Sequence, residues 1–139
     1  MDIKKMLYAW LAGAAGMIIL GVLWHTVIMG NFYDTHLADV ARDEPKMHFI
    51  ILGYLVLALL MAYMFPLGYK GGSAVTEGLR FGILIGLLWI LPLQLVFHGL
   101  LNIGLTGSLV DAGWHVVEQG VGGIIIAMVY GKGAASESG

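Results

Sequence analysis

The segment from Asp111 to Gly123 places several chemically active side chains inside an otherwise apolar stretch. When residues advance by about 100° each, as in an α-helix, Asp111, His115, Glu118 and Gln119 fall on one face. The opposite face of the same segment is apolar. Because ionisable groups are costly at membrane depth, this arrangement favours a functional site. A hydrogen-bonded seam between helices is the alternative.

Imidazole and carboxylate groups bind transition metals such as zinc, iron, copper or manganese. His115 and Glu118 are one helical turn apart, like the E-x-x-H pairs of di-metal bundles, although the sequence lacks the second pair that such bundles need. Histidines on facing helices also suit haem or a chlorin pigment, which is the alternative cofactor. A proton-carrying network of the same groups is equally compatible with the spacing.

All five histidines lie toward one predicted side of the membrane, which extends the candidate site to other helices. The predicted metal or cofactor ligands are His25, His98, His115, Glu118 and Asp111, and the predicted polar network comprises Gln94, Asn102 and Gln119. Counted from the predicted helix ends, three helices bring such groups to depths of roughly 5–10 Å at 1.5 Å per residue. Secondary candidates are His36 and His48. Ser108 lies in no nucleophile elbow, so no catalytic residue is predicted and an enzyme is not favoured.

The elements that position these residues are predicted to be membrane helices. The chain has 139 residues, of which 59% are hydrophobic and 12% charged. Four apolar segments, at about 6–29, 47–67, 79–101 and 111–131, approach the ~20 residues needed to cross a bilayer. We therefore predict one domain over 1–139, an all-α antiparallel bundle of four transmembrane helices. The absence of cysteine excludes disulfides, thiolate metal sites and iron–sulfur clusters.

The first connecting segment is predicted to contain a short helix at the membrane interface. Asp34 or Thr35 would cap this helix and Pro45 would end it. The acidic residues around it are expected to form a solvated face.

The basic residues predict the orientation of the bundle. One side carries Lys4, Lys5, Lys70, Arg80 and Lys132, and the other carries Arg42 and Lys46. The positive-inside rule therefore places both termini in the cytoplasm, with the protein in a bacterial inner membrane. The lipid bilayer is then the main partner, and no nucleic-acid partner is indicated.

A ladder of small residues in the third segment predicts close helix packing. Gly78, Gly82 and Gly86 recur at four-residue steps, a spacing that lets membrane helices approach closely. This face is expected to pack either inside the bundle or against a second copy. A homo-oligomer, or a subunit of a larger membrane complex, is therefore predicted.

Two short motifs resemble those of a family of small bacterial four-helix membrane proteins, domain of unknown function 1761. Members show G-x-L-W-Y near the end of the first helix and an aliphatic-x-A-G-Y-H segment opening the fourth. Here these read Gly21-Val-Leu-Trp-His25 and Leu109-Val-Asp-Ala-Gly-Trp-His115. Tyrosine is thus replaced by His25 and by Trp114. The resemblance implies the four-helix fold and matches His115, but it implies no activity.

Three functions follow from these patterns. The first is a small membrane protein that binds a metal or cofactor at the His/carboxylate cluster. The second is an accessory subunit of a membrane complex, docked through the glycine ladder. The third is a small homodimeric proton-coupled transporter in which Glu118 alternates between proton and substrate.

Overall fold

A computed structural model describes residues 2–131, so Lys132 lies outside the described residues. All regular elements within 2–131 are helical. They are α1 (Ile3–Val22), a π-helical segment (Leu23–Ile28), α2 (Gly30–His36), α3 (Met47–Gly68), α4 (Ala74–Leu100) and α5 (Leu105–Gly131). Four helices are long and apolar enough to cross a membrane, namely α1 with its π-helical extension, α3, α4 and α5. The predicted four-helix membrane bundle is confirmed.

Polar caps set the ends of the helices beyond the apolar segments. The Asp2 carboxylate accepts hydrogen bonds from the amides of Lys4 and Lys5, so α1 begins at Ile3. Ser73 Oγ accepts from the Thr76 amide at 3.1 Å, and α4 begins at Ala74. These starts precede the predicted ones because the first turn of each helix is too polar to stand out in a hydropathy pattern.

The short helix of the first connection is present but lies earlier than predicted. It spans Gly30–His36, and Thr35 lies inside it, where its hydroxyl donates to the Asn31 carbonyl at 2.8 Å. Asp34 and Thr35 therefore do not cap this helix. It begins one residue after the π-helical segment, with only Met29 between them, and it ends at His36, well before Pro45.

α5 occupies the middle of the bundle. It packs most extensively against α4, next against α1 and least against α3, and α1 also packs against α3. The terminal end of the bundle holds residues 2–3, the 69–73 turn and residue 131, and the cavity end holds the 37–46 and 101–104 connections. The apolar core lies in the terminal half, where Met17, Met61 and Ile126 are fully buried. The other half is therefore free to carry polar groups.

Backbone contact joins α4 to α5. A Cβ placed on Gly82 would lie 2.8 Å from Gly120 Cα, and one on Gly86 would lie 2.8 Å from Val116 Cα. A Cβ on Gly78 would meet Ile124 Cα at 2.6 Å. α5 thus covers the glycine ladder, which lies inside one copy of the bundle.

Candidate functional site

A row of buried and half-buried polar side chains follows α5. Glu118 and Gln119 have no solvent-exposed surface at all. Residue 118 lies thirteen positions from both Leu105 and Gly131, which places it about 20 Å from either end at 1.5 Å per residue. This is deeper than the predicted 5–10 Å, because α5 begins six residues before the predicted start at 111.

Three donors surround the Glu118 carboxylate. Tyr54 of α3 donates its hydroxyl to Oε1 at 2.9 Å, and Gln119 Nε2 donates to Oε2 at 3.1 Å. His115 Nδ1 lies 2.9 Å from the same Oε2. Gly21 of α1 makes room for this arrangement, since a Cβ there would come within 2.9 Å of Oε1. Both carboxylate oxygens are therefore satisfied without a lysine or arginine from residues 2–131.

The bond to Glu118 orients the His115 ring. With Nδ1 donating to the carboxylate, Nε2 is left as the free nitrogen, and it lies 3.8 Å from Asp111 Oδ2. A carboxylate that holds one imidazole nitrogen so that the other can bind a metal is the common outer-shell arrangement of metal-ligating histidines. His115 therefore has the geometry of a preoriented ligand.

The Asp111 carboxylate is also held by partners. Tyr33 of α2 donates its hydroxyl to Oδ1 at 2.9 Å, and Gln94 of α4 donates its amide to Oδ2. Trp24 Nε1 in turn donates to the Tyr33 hydroxyl at 3.1 Å. Burial raises the pKa of Tyr33 above its ordinary value of 10 although the Trp24 hydrogen bond lowers it, and the Asp111 carboxylate raises it further. Tyr33 therefore remains a hydrogen-bond donor to Asp111 at neutral pH.

His25 completes a group that we call the ligand cluster, made of His25, Asp111 and His115. One ligand atom from each of these residues lies within 4.8 Å of the other two, and all three side chains are partly buried. His25 belongs to the π-helical segment, in which the Met29 amide donates to the Trp24 carbonyl five residues back. Such segments occur frequently at functional sites.

A cavity of about 340 Å³ adjoins the ligand cluster at the cavity end. His25 and Asp111 line it, so two of the three ligands face open space. Its other polar lining residues are Tyr33, His36, Gln94 and Ser108, and its apolar ones are Leu37, Val40, Ala41, Phe97, Leu101 and Ile103. An ion held by the cluster would therefore have coordination positions open to a small molecule.

The structure separates the remaining predicted residues from the cluster. His98 is exposed and bonds the Ile103 carbonyl at 2.7 Å through Nδ1, because it lies in the last turn of α4, beyond Gln94. Asn102 is exposed in the following turn, and His48 is exposed at the start of α3. His36 stacks on Phe32 at 3.9 Å and borders the cavity without joining the cluster.

The sequence patterns gave no role to two tyrosines that hold the site together. Tyr33 fixes Asp111, and Tyr54 fixes Glu118 from α3. Their hydroxyl groups could have indicated this role, because a tyrosine buried among apolar residues normally has a hydrogen-bond partner. Their partners lie 78 and 64 residues away, which local spacing does not reveal.

A family model described as "Predicted membrane protein (DUF2177)" matches residues 6–128. No curated protein and no solved structure matches the chain. The resemblance to domain of unknown function 1761 is therefore wrong. It depended on short motifs in apolar helices, which resemble one another through composition.

Proposed function

The chain belongs to the DUF2177 family of predicted membrane proteins, and we propose that it binds a transition-metal ion at the ligand cluster. The observation that carries this proposal is the meeting of His25, Asp111 and His115 within 4.8 Å. Two imidazoles and one carboxylate form a donor set suited to zinc, iron or manganese.

The outer contacts of the cluster support the metal reading over a purely structural seam. Each of two ligands is oriented by groups that do not themselves belong to the cluster, Glu118 for His115 and Tyr33 for Asp111. In a purely structural seam, the polar groups need only be hydrogen-bonded to one another. His115 Nε2, in contrast, lies 3.8 Å from the Asp111 carboxylate. That separation exceeds a hydrogen bond. Two ligands at ~2.1 Å from a tetrahedral ion lie roughly 3.4 Å apart, so small side-chain rotations would close the site.

A single ion fits the surroundings better than haem or a chlorin pigment. The His25 and His115 ring centroids are 5.9 Å apart, and Tyr33 packs 4.5 Å from the His25 ring. A carboxylate oxygen of Asp111 lies within 4.8 Å of a ring nitrogen of each histidine. A planar macrocycle would have to displace Tyr33 and Asp111 from these positions.

The two alternative functions have less support. An accessory subunit was predicted to dock through Gly78, Gly82 and Gly86, but α5 covers this face. A proton-coupled transporter was predicted to use Glu118, but the cavity reaches Asp111 and His25 and Glu118 does not line it. Glu118 instead has the position of a residue that orients His115.

Metal analysis of the purified protein tests the proposal. Wild type should retain close to one equivalent of Zn²⁺ or Co²⁺ after gel filtration, and His115→Ala and His25→Ala should each lose it. His98→Ala and His48→Ala are matched controls outside the cluster and should retain it. A His25→Ala, His115→Ala double variant that still holds one equivalent would eliminate the cluster as the site.

The orientation is also a proposal. Lys4, Lys5, Lys70 and Arg80 lie at the terminal end, whereas Arg42 and Lys46 lie at the cavity end. This bias supports cytoplasmic termini in a bacterial inner membrane and a ligand cluster nearer the external side. A reporter active only in the periplasm should be silent when fused to the C-terminus and active when inserted at Glu44. The reverse pattern would invert the topology.

A further inference from the structure

Ser108 is a polar residue that the ligand cluster does not explain. It is 1% exposed and lines the cavity, yet its hydroxyl has no hydrogen-bond partner within residues 2–131. Buried hydroxyls in proteins are nearly always paired, because an unmade bond carries the full cost of desolvation. Ser108 Oγ, whose own exposed area is below 1 Å², is therefore an unused hydrogen-bonding group in the cavity wall.

The cavity lining combines polar and apolar residues, with Ser108, His25 and Asp111 among the polar ones and Leu37, Val40, Phe97 and Leu101 among the apolar ones. Leu37, Val40 and Leu101 belong to the connections at the cavity end, whereas His25 and Asp111 belong to helical segments. Its volume of about 340 Å³ is at the lower end of the roughly 300–1,000 Å³ of small-molecule sites. The cavity is thus larger than an ion with its waters needs, and its lining suits a molecule with one polar end.

We propose that the cavity binds an amphipathic carboxylate of medium chain length. Its head would lie at the metal and accept a hydrogen bond from Ser108, and its tail would lie against Val40, Phe97 and Leu101. This inference rests on the proposed metal site. The cluster supplies three ligands and leaves positions open toward the cavity, and carboxylate oxygen is a ligand that divalent transition metals accept.

Ligand binding can be measured with Co²⁺ in the site, because the visible absorption bands of Co²⁺ change when a ligand joins its coordination shell. The Co²⁺-loaded protein in detergent is titrated with decanoate, with acetate as the same head without a tail, and with methyl decanoate as the same tail without charge. Decanoate should change the bands saturably at a concentration at least tenfold lower than acetate. Methyl decanoate should leave them unchanged. Equal half-saturation for decanoate and acetate would overturn the role of the apolar wall.

Three variants locate the binding site. Val40→Trp fills the apolar part and should remove the tenfold preference for decanoate, and Leu101→Trp is a second blocking variant should the first fail to fold. Val56→Trp, on an exposed part of α3 outside the cavity lining, is the matched control and should behave as wild type. It also controls for decanoate in the detergent. Unchanged preference in both blocking variants would contradict the proposal.

Ser108→Ala should weaken decanoate and acetate alike, by about fivefold, with the starting cobalt spectrum preserved. An unchanged affinity for both would remove Ser108 from the site. The outcomes also separate this inference from the metal proposal. Failure to bind cobalt overturns both, whereas cobalt binding without any response to decanoate overturns only the carboxylate ligand.

Discussion

The two faces of α5 use opposite means to hold their neighbours. Toward α4, Gly120 and Gly123 oppose the glycine ladder, and the backbones touch with almost no side chains between them. On the polar face, Asp111 accepts hydrogen bonds from Tyr33 of α2 and Gln94 of α4, and Glu118 accepts one from Tyr54 of α3. Atoms added to the first face would collide with backbone, whereas groups removed from the second face would leave their hydrogen-bond partners unpaired.

This contrast shows how a small bundle can position a polar site without a large core. Backbone contact with α4 fixes the rotation and depth of α5, since either change would separate the glycines from their partners. Once α5 is in place, the polar side chains need only adopt the rotamers that form their hydrogen bonds. We expect changes on the glycine face to affect both faces, and changes on the polar face to remain local.

The largest effect is expected for Gly82→Leu. A Cβ at this position already collides with the Gln119 backbone, so the longer side chain would force α4 and α5 apart. The cost should exceed the about 1–3 kcal/mol of ordinary overpacking, and folded protein and bound metal should be lost together. The readouts are yield after size-exclusion chromatography, melting temperature and metal content.

Gly53→Leu is the matched control, because nothing lies within 4 Å of a Cβ on that residue of α3. It should purify and melt like wild type. If Gly82→Leu melted at the same temperature as Gly53→Leu, the backbone contact would not be what positions α5.

A smaller but still large effect is expected for Glu118→Ala. The change leaves Tyr54, His115 and Gln119 without their shared acceptor, at about 1–3 kcal/mol for each buried unpaired group. The melting temperature should fall, and Co²⁺ affinity should drop by about 10–100-fold because His115 loses its orientation. Glu44→Ala, at an exposed acid, should change neither. A folded Glu118→Ala protein with wild-type Co²⁺ affinity would show that Glu118 does not orient His115.

The smallest effect is expected for Tyr54→Phe, which removes one of three donors to Glu118 and keeps the ring. The loss should be about 1 kcal/mol, with metal content unchanged. Tyr63→Phe is the control, since Tyr63 lies on the same helix and is 47% exposed. Equal melting temperatures for the two variants would mean that Tyr54 contributes packing alone.

The sequence predicted the bundle well because length and apolar content decide whether a helix can cross a membrane. The polar face of α5 could also be predicted, since its residues recur at helical spacing within one segment. Contacts between side chains of different segments could not be predicted. His98 follows Gln94 by one turn and appeared equivalent to it, but α4 ends at Leu100, so His98 bonds the turn instead of α5.

Tyr33 and Tyr54 illustrate the same limit. Each acts on a residue of α5, and only the packing of α2 and α3 brings the groups together. The family assignment failed for a related reason. The two motifs that end in His25 and His115 lie in apolar helices, where similar composition arises without common ancestry. A family match over residues 6–128 therefore carries more information.

The direction of the His25 side chain depends on the number of residues in the π-helical segment Leu23–Ile28. Hydrogen bonds that reach back five residues accommodate one residue more per turn than those of an α-helix. Deleting Leu23 would let the segment return to α-helical register, and the residues after Ile28 would keep their direction, because the wider turn exists to hold the extra residue. His25 lies inside the segment, so its side chain would turn relative to Asp111 and His115. A histidine aligned with His25 in a chain that lacks the extra residue is therefore not by itself a shared ligand.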